Sequence, residues 1–134
     1  MSHIVRATID LAYRDKELLI KALEAIGIVK ENEGITIATG SSTYKMSRDK
    51  YDIVLESADG HKFRLGFRNE NNMFVPFADE WGRLGEWVKR SLAQTKDNYL
   101  AYHYQKQLES EGFEVKVTRQ NDGSLEVLAT EGVW

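Results

Sequence analysis

Cations interleaved with aromatic rings mark the middle of the chain: Lys45, Arg48 and Lys50, then Lys62, Arg64 and Arg68, among Tyr44, Tyr51, Phe63 and Phe67. Ammonium and guanidinium groups hold phosphates or carboxylates by charge-assisted hydrogen bonds, while rings stack on planar groups. Alternate side chains of a strand share a face about 7 Å apart. A strand through Lys62, Arg64 and Arg68 therefore offers one side to an anion, and Arg64 with Arg68 is the predicted working pair, joined by Lys45 or Arg48 from the loop before it. The same alternation turns Phe63 and Phe67 to the other side, where they fill a core rather than a stacking platform. Replacing Arg64 and Arg68 together by serine is then expected to abolish salt-sensitive association and leave the melting temperature nearly unchanged.

Other chemistry-bearing residues are scattered. His3, His61 and His103 share no metal-ligand spacing, and no metal or cofactor site is expected. Tyr99 and His103 are four residues apart, within reach on one helix flank, and could line a small-ligand pocket with Arg64 and Arg68. Asp79 and Glu80 are adjacent, so they do not converge on one substrate atom; a solvated helix start is the expected role. Trp81 and Trp87 are candidates for an exposed surface that binds protein. Thr39-Gly40-Ser41-Ser42-Thr43 offers backbone amides but reads as a plain polar loop. Phosphate-loop, dinucleotide, zincin and serine-hydrolase motifs are absent.

With no cysteine among 134 residues, disulfide frameworks, thiolate nucleophiles and iron–sulfur sites are excluded. A net charge of -3 argues against nucleic acid as the partner. One proline, 42% hydrophobic and 29% charged residues are ordinary for one folded domain over 1–134. The opening Met1-Ser2-His3-Ile4-Val5-Arg6 lacks a signal-peptide core and no stretch is apolar enough to span a membrane, so the cytoplasm, or a plastid stroma, is the expected setting.

These residues need elements to position them. Residues 4–11 read as a strand. Asp15 caps a helix through Leu18, Leu19, Ala22, Leu23 and Ile26, which Gly27 closes. Residues 35–39 form a short strand and 41–50 a loop. Ser57-Ala58-Asp59-Gly60 reads as a turn with Gly60 left-handed, pairing Leu55 with Phe63, Ile53 with Leu65, Tyr51 with Phe67 and Glu56 with Lys62. Residues 74–92 read as a loop and a short or irregular helix weakened by Gly82 and Gly85, and a second helix runs from Lys96 to Glu111. Gln120-Asn121-Asp122-Gly123 turns a last hairpin, pairing Val117 with Val127. The predicted fold is α+β: an antiparallel or mixed sheet with two principal helices on one face. Lys-x-Leu-Glu-x-x-Gly-apolar occurs at Lys21 and again at Lys106, allowing two helix-plus-hairpin halves, though amphipathic helices commonly end this way.

Short markers along the chain resemble the family of conserved plastid open reading frame thirty-five, found in cyanobacteria, algal plastids, other bacteria and some phages. They are Met1-Ser2-His3, the first helix with Gly27, Phe74-Val75, Gln94 with Tyr99, Gly112-Phe113-Glu114-Val115, Asp122-Gly123-Ser124-Leu125 and Trp134. The chain departs from the family at Pro76-Phe77-Ala78-Asp79 and at Thr95-Lys96-Asp97-Asn98, inserted between Gln94 and Tyr99. The resemblance implies no catalytic residues; by association it implies an accessory role beside AAA-type ATPases. A non-enzymatic adaptor binding a protein partner, or its own copy, is the leading expectation. A small anionic ligand or nucleotide binder, and an enzyme with a dispersed carboxylate–histidine site, are the alternatives.

Overall fold

Asp15 sets the start of the first helix. Its side chain accepts the Leu18 N–H at 3.2 Å, satisfying one of the free amides of the first turn. The computed structural model describes residues 4–7 and 11–131, and in it this helix, α1, spans Lys16–Glu24. The first strand, β1, is Ile4–Arg6; residues 8–10 of the predicted strand, His3 and Trp134 lie outside the described residues. Beyond α1 come β2 (Gly27–Glu33), β3 (Thr36–Ala38), β4 (Tyr44–Met46), β5 (Tyr51–Ser57), β6 (Arg64–Glu70), β7 (Met73–Asp79), α2 (Gly82–Ser110), β8 (Phe113–Arg119) and β9 (Leu125–Glu131).

The main sheet is antiparallel with order β1-β7-β6-β5-β2, flanked by two-stranded pairs β3-β4 and β8-β9. The fold is thus α+β, as the pattern of elements predicts. Both helices bury one face of the main sheet, where Leu19, Ala22 and Leu23 of α1 and Leu84, Trp87, Val88 and Tyr99 of α2 meet Ile53, Leu55, Leu65 and Phe67. Each such fully buried side chain contributes roughly 1.5–3 kcal/mol. A smaller cluster of Ile35, Tyr51 and Val54 lies on the opposite face, with Ile4 and Phe77 packed against it.

The core face of the central hairpin is as predicted, but its register differs by two residues. Leu55 pairs with Leu65, Ile53 with Phe67 and Glu56 with Arg64. Gly60 is not left-handed; Lys62 is, at φ 52°. Asp59 explains the longer turn: its carboxylate accepts the Ser57 hydroxyl and the His61 N–H, both at 2.9 Å. The Ser57 hydroxyl oxygen in turn accepts the Phe63 N–H. Tyr51 also moves: the ladder ends at Ile53, Asp52 accepts the Asn69 N–H, and the Tyr51 ring crosses to lie over Gly66 on the far face.

Three strands, β2, β4 and β7, lie where the sequence pattern predicts none. β2 pairs with β5 from Gly27 to Glu33. Gly27 therefore opens a strand instead of closing α1, whose C-cap is Ala25; a Cβ there would sit 2.5 Å from the Glu56 carbonyl oxygen. β4 lies within the predicted loop and pairs Met46, Lys45 and Tyr44 with Thr36, Ile37 and Ala38. The echo between the helix ends also breaks, since Gly112 is left-handed at φ 93° and Gly27 is not.

Residues 74–79, predicted as loop, belong to β7. They join β6 through Asn71 and Asn72, left-handed at φ 54° and 64°, the pair of conformations a tight hairpin turn requires. Pro76 is tolerated because β1 pairs only as far as Arg6↔Phe77, after which the Pro76 carbonyl accepts the Ala7 N–H. α2 then runs unbroken for 29 residues, about 43 Å. The hairpin of β8 and β9 has the predicted Val117↔Val127 pairing, with Gly123 left-handed at φ 88°. It lies back along α2, its Gly123 near Gln94, and none of its residues is buried.

The glycines that weaken the helical pattern have local reasons. Gly82 is left-handed at φ 58° where the chain enters α2. A Cβ on Gly85 would overlap the backbone of Glu80. Propensity alone makes Gly85→Ala stabilising by about 1 kcal/mol. The overlap makes it destabilising by roughly 1–3 kcal/mol, and urea denaturation of the variant decides between the two signs.

Candidate functional site

Arg64 and Arg68 share the face of β6 turned away from the helices, as the alternation predicts, yet neither guanidinium is free. Arg64 Nε donates to Glu56 Oε1 at 3.0 Å, and its Nη1 lies 3.0 Å from Glu33 Oε1. Nη1 also faces the Gly34 carbonyl at 3.3 Å and the Met46 sulfur at 3.6 Å. Glu56 is buried, so Arg64 neutralises an interior carboxylate. Arg68 lies 4.5 Å from the Tyr51 ring centroid and 5.3 Å from that of Phe77, and donates to the Lys50 carbonyl at 3.3 Å. Burial pushes the Tyr51 hydroxyl pKa up, against the opposing charge of Arg68. Lys45 and Arg48 are exposed on β4 and the loop after it. Arg64 is thus committed to carboxylates within the fold, with Glu56 opposite it instead of opposite Lys62, while Arg68 is half-buried and rests on two rings and a carbonyl.

Tyr99 and His103 do come together. Their rings stack at 6.4 Å with planes 6° apart, and the Tyr99 oxygen accepts the Asp15 N–H at 3.1 Å. They line an open groove of about 600 Å³ with Arg14, Asp15, Lys16, Glu17 and Lys106. Two of the cations here are paired, Lys106 with Asp15 and Lys16 with Glu31, each at 2.9 Å.

The Lys106 hydrogen bond is the main reason the Asp15 carboxyl titrates below its ordinary 3.8, aided by the Leu18 N–H and opposed by desolvation. A depressed folded value means that the stabilisation is complete above the unfolded value and is lost as pH falls through the folded one. The melting temperature should therefore fall more steeply below about pH 4 in the wild type than in Asp15→Asn, compared by thermal scans across that range.

A different constellation forms around Trp81. This residue is the N-cap of α2, is 55% exposed and walls a concavity of about 450 Å³ with Ile37, Ala38, Lys45 and the turn of Thr39, Gly40 and Ser41. Lys45 stands opposite Ile37 in the β3–β4 ladder, which puts its ammonium stem beside an apolar wall. The concavity is held open by Asp79. Its Oδ2 accepts the Ala38 N–H at 2.8 Å and its Oδ1 the Trp81 N–H at 3.1 Å, clamping the end of β3 to the start of α2. Asp79 is 1% exposed, so only Glu80 of the Asp-Glu step is solvated.

Trp87 is not part of that surface. It lies within α2, whereas Trp81 is its extended N-cap, and it is buried with its ring 6.1 Å from Phe63. The turn at residues 39–43, read as plain, contributes to the concavity after all, closed by the Thr39 N–H to the Thr43 carbonyl and by a bond between their hydroxyls. A sequence signal for the clamp existed in Asp-x-Trp-Gly, a carboxylate two residues before a helix start, where side chains accept backbone amides.

Among the described residues, no three His, Asp or Glu side chains are grouped to hold a metal, and no helix is long and apolar enough to cross a membrane. No family model, no curated protein and no solved structure matches the chain.

Proposed function

We infer that the chain is a non-enzymatic binding module whose partner is another protein, engaged through the surface around Trp81. The observation that carries this reading is a tryptophan more than half exposed, at the edge of a concavity where Asp79 ties β3 to the start of α2. Tryptophan supplies large contact area at low entropic cost and is enriched among residues that dominate binding energy. The resemblance to the plastid open-reading-frame family points the same way, to an accessory beside an AAA-type ATPase. The small-ligand alternative is weakened by the Arg64 guanidinium being paired with Glu56 and Glu33.

The test is a photo-crosslinking amino acid placed at position 83, on the exposed first turn of α2, in cells of the native host. Crosslinks to one protein species that vanish when Trp81→Ala is added support the reading. Crosslinks unaffected by Trp81→Ala, or none at all, count against it.

A further inference from the structure

The chemistry of the concavity specifies what should occupy it. Its two walls, Trp81 and Ile37, are apolar, and a single cation, Lys45, stands beside them. Among the described residues Lys45 has no carboxylate in ion-pair range, unlike Arg6, Lys16, Arg64 and Lys106. Among the described residues β4 pairs with β3 alone, and all of its residues are exposed.

We propose that the partner segment is a peptide that seats an apolar side chain between Trp81 and Ile37 and places a carboxylate one or two positions away on Lys45. The segment is recognised by two features at once: an apolar group for the indole and one negative charge for the ammonium. A polyphosphate lacks the apolar group, and a nucleic acid would meet only one cation. This rests on the binding-module reading above and adds the chemistry of the partner to it.

Selection of random peptides displayed on phage against the full chain tests the proposal. Enriched peptides should share an apolar residue within two positions of Asp or Glu, and Trp81→Ala should weaken them by about tenfold or more. Lys45→Glu should reverse the selection, enriching an apolar residue beside Lys or Arg. Both positions are exposed, so unchanged melting temperatures are expected and are checked first. Peptides that depend on Trp81 but show no charge preference, or whose preference survives Lys45→Glu, overturn the acidic-segment proposal and leave the binding module standing. Peptides indifferent to Trp81→Ala, or no enrichment, overturn both.

Discussion

Arg64→Ser should lower stability by about 3 kcal/mol, because breaking a buried ion pair leaves the surviving charge uncompensated. Glu56 and the Arg64 side chain are almost wholly enclosed, and Arg64 also bridges to Glu33 and to the Gly34 carbonyl. Arg68→Ser, by contrast, removes a cation resting on two rings, worth about 1 kcal/mol. Pairing Arg64→Ser with Glu56→Gln should restore part of the loss, since the amide carries no stranded charge. Urea denaturation of the three variants checks this, and a single Arg64→Ser protein as stable as the wild type would sink the structural assignment. The double arginine variant is therefore no clean probe of anion binding, contrary to the expectation drawn from strand alternation alone.

Asp79→Ala should cost a similar amount, about 3 kcal/mol, because a carboxylate that accepts two amide hydrogens is lost and both amides keep their need for an acceptor. Ala38, which carries one of them, is only 5% exposed, so water cannot replace the lost oxygen without opening the junction of β3 and α2. The loss should appear in urea denaturation together with faster amide exchange at Ala38 and Trp81. If the two amides stay protected, the clamp is not what holds the concavity. Because Asp79 touches no proposed partner, the variant separates two effects: peptides should bind it less tightly even under conditions where it remains folded.

What the sequence made legible was local. The cap at Asp15, the alternation of Ile53, Leu55, Phe63 and Leu65, and the turn at Gly123 each depend on neighbours within a few residues, and all three stand in the structure. The register of the central hairpin failed because an aspartate side chain, not a glycine, shapes the turn. The middle of α2 was unreadable because the positions it buries there are Ser91, Thr95 and Asn98. Thr95 donates to the Ser91 carbonyl and Asn98 to the Ala22 carbonyl of α1, so polar residues occupy the inner face and erase the apolar period. The site was half legible for a related reason. Trp81 and Lys45 were singled out by residue type, but their proximity depends on a tertiary bond from Asp79 to a strand 41 residues away.

The last hairpin gives the molecule two tiers of cohesion. β8 and β9 hold each other through a full ladder and rest on α2, yet no side chain there is removed from water as those of the main sheet are. Half-buried valines against one helix give much less cohesion than a core closed on both sides, and segments of that kind open by sub-global excursions well below the free energy of complete unfolding. Amides of β8 and β9 should thus exchange in a first wave and those of β5 and β6 in a second. α2 spans both tiers as one rod, held at its N-terminal half by the main core, so the hairpin could peel away and return without the Trp81 surface losing its shape.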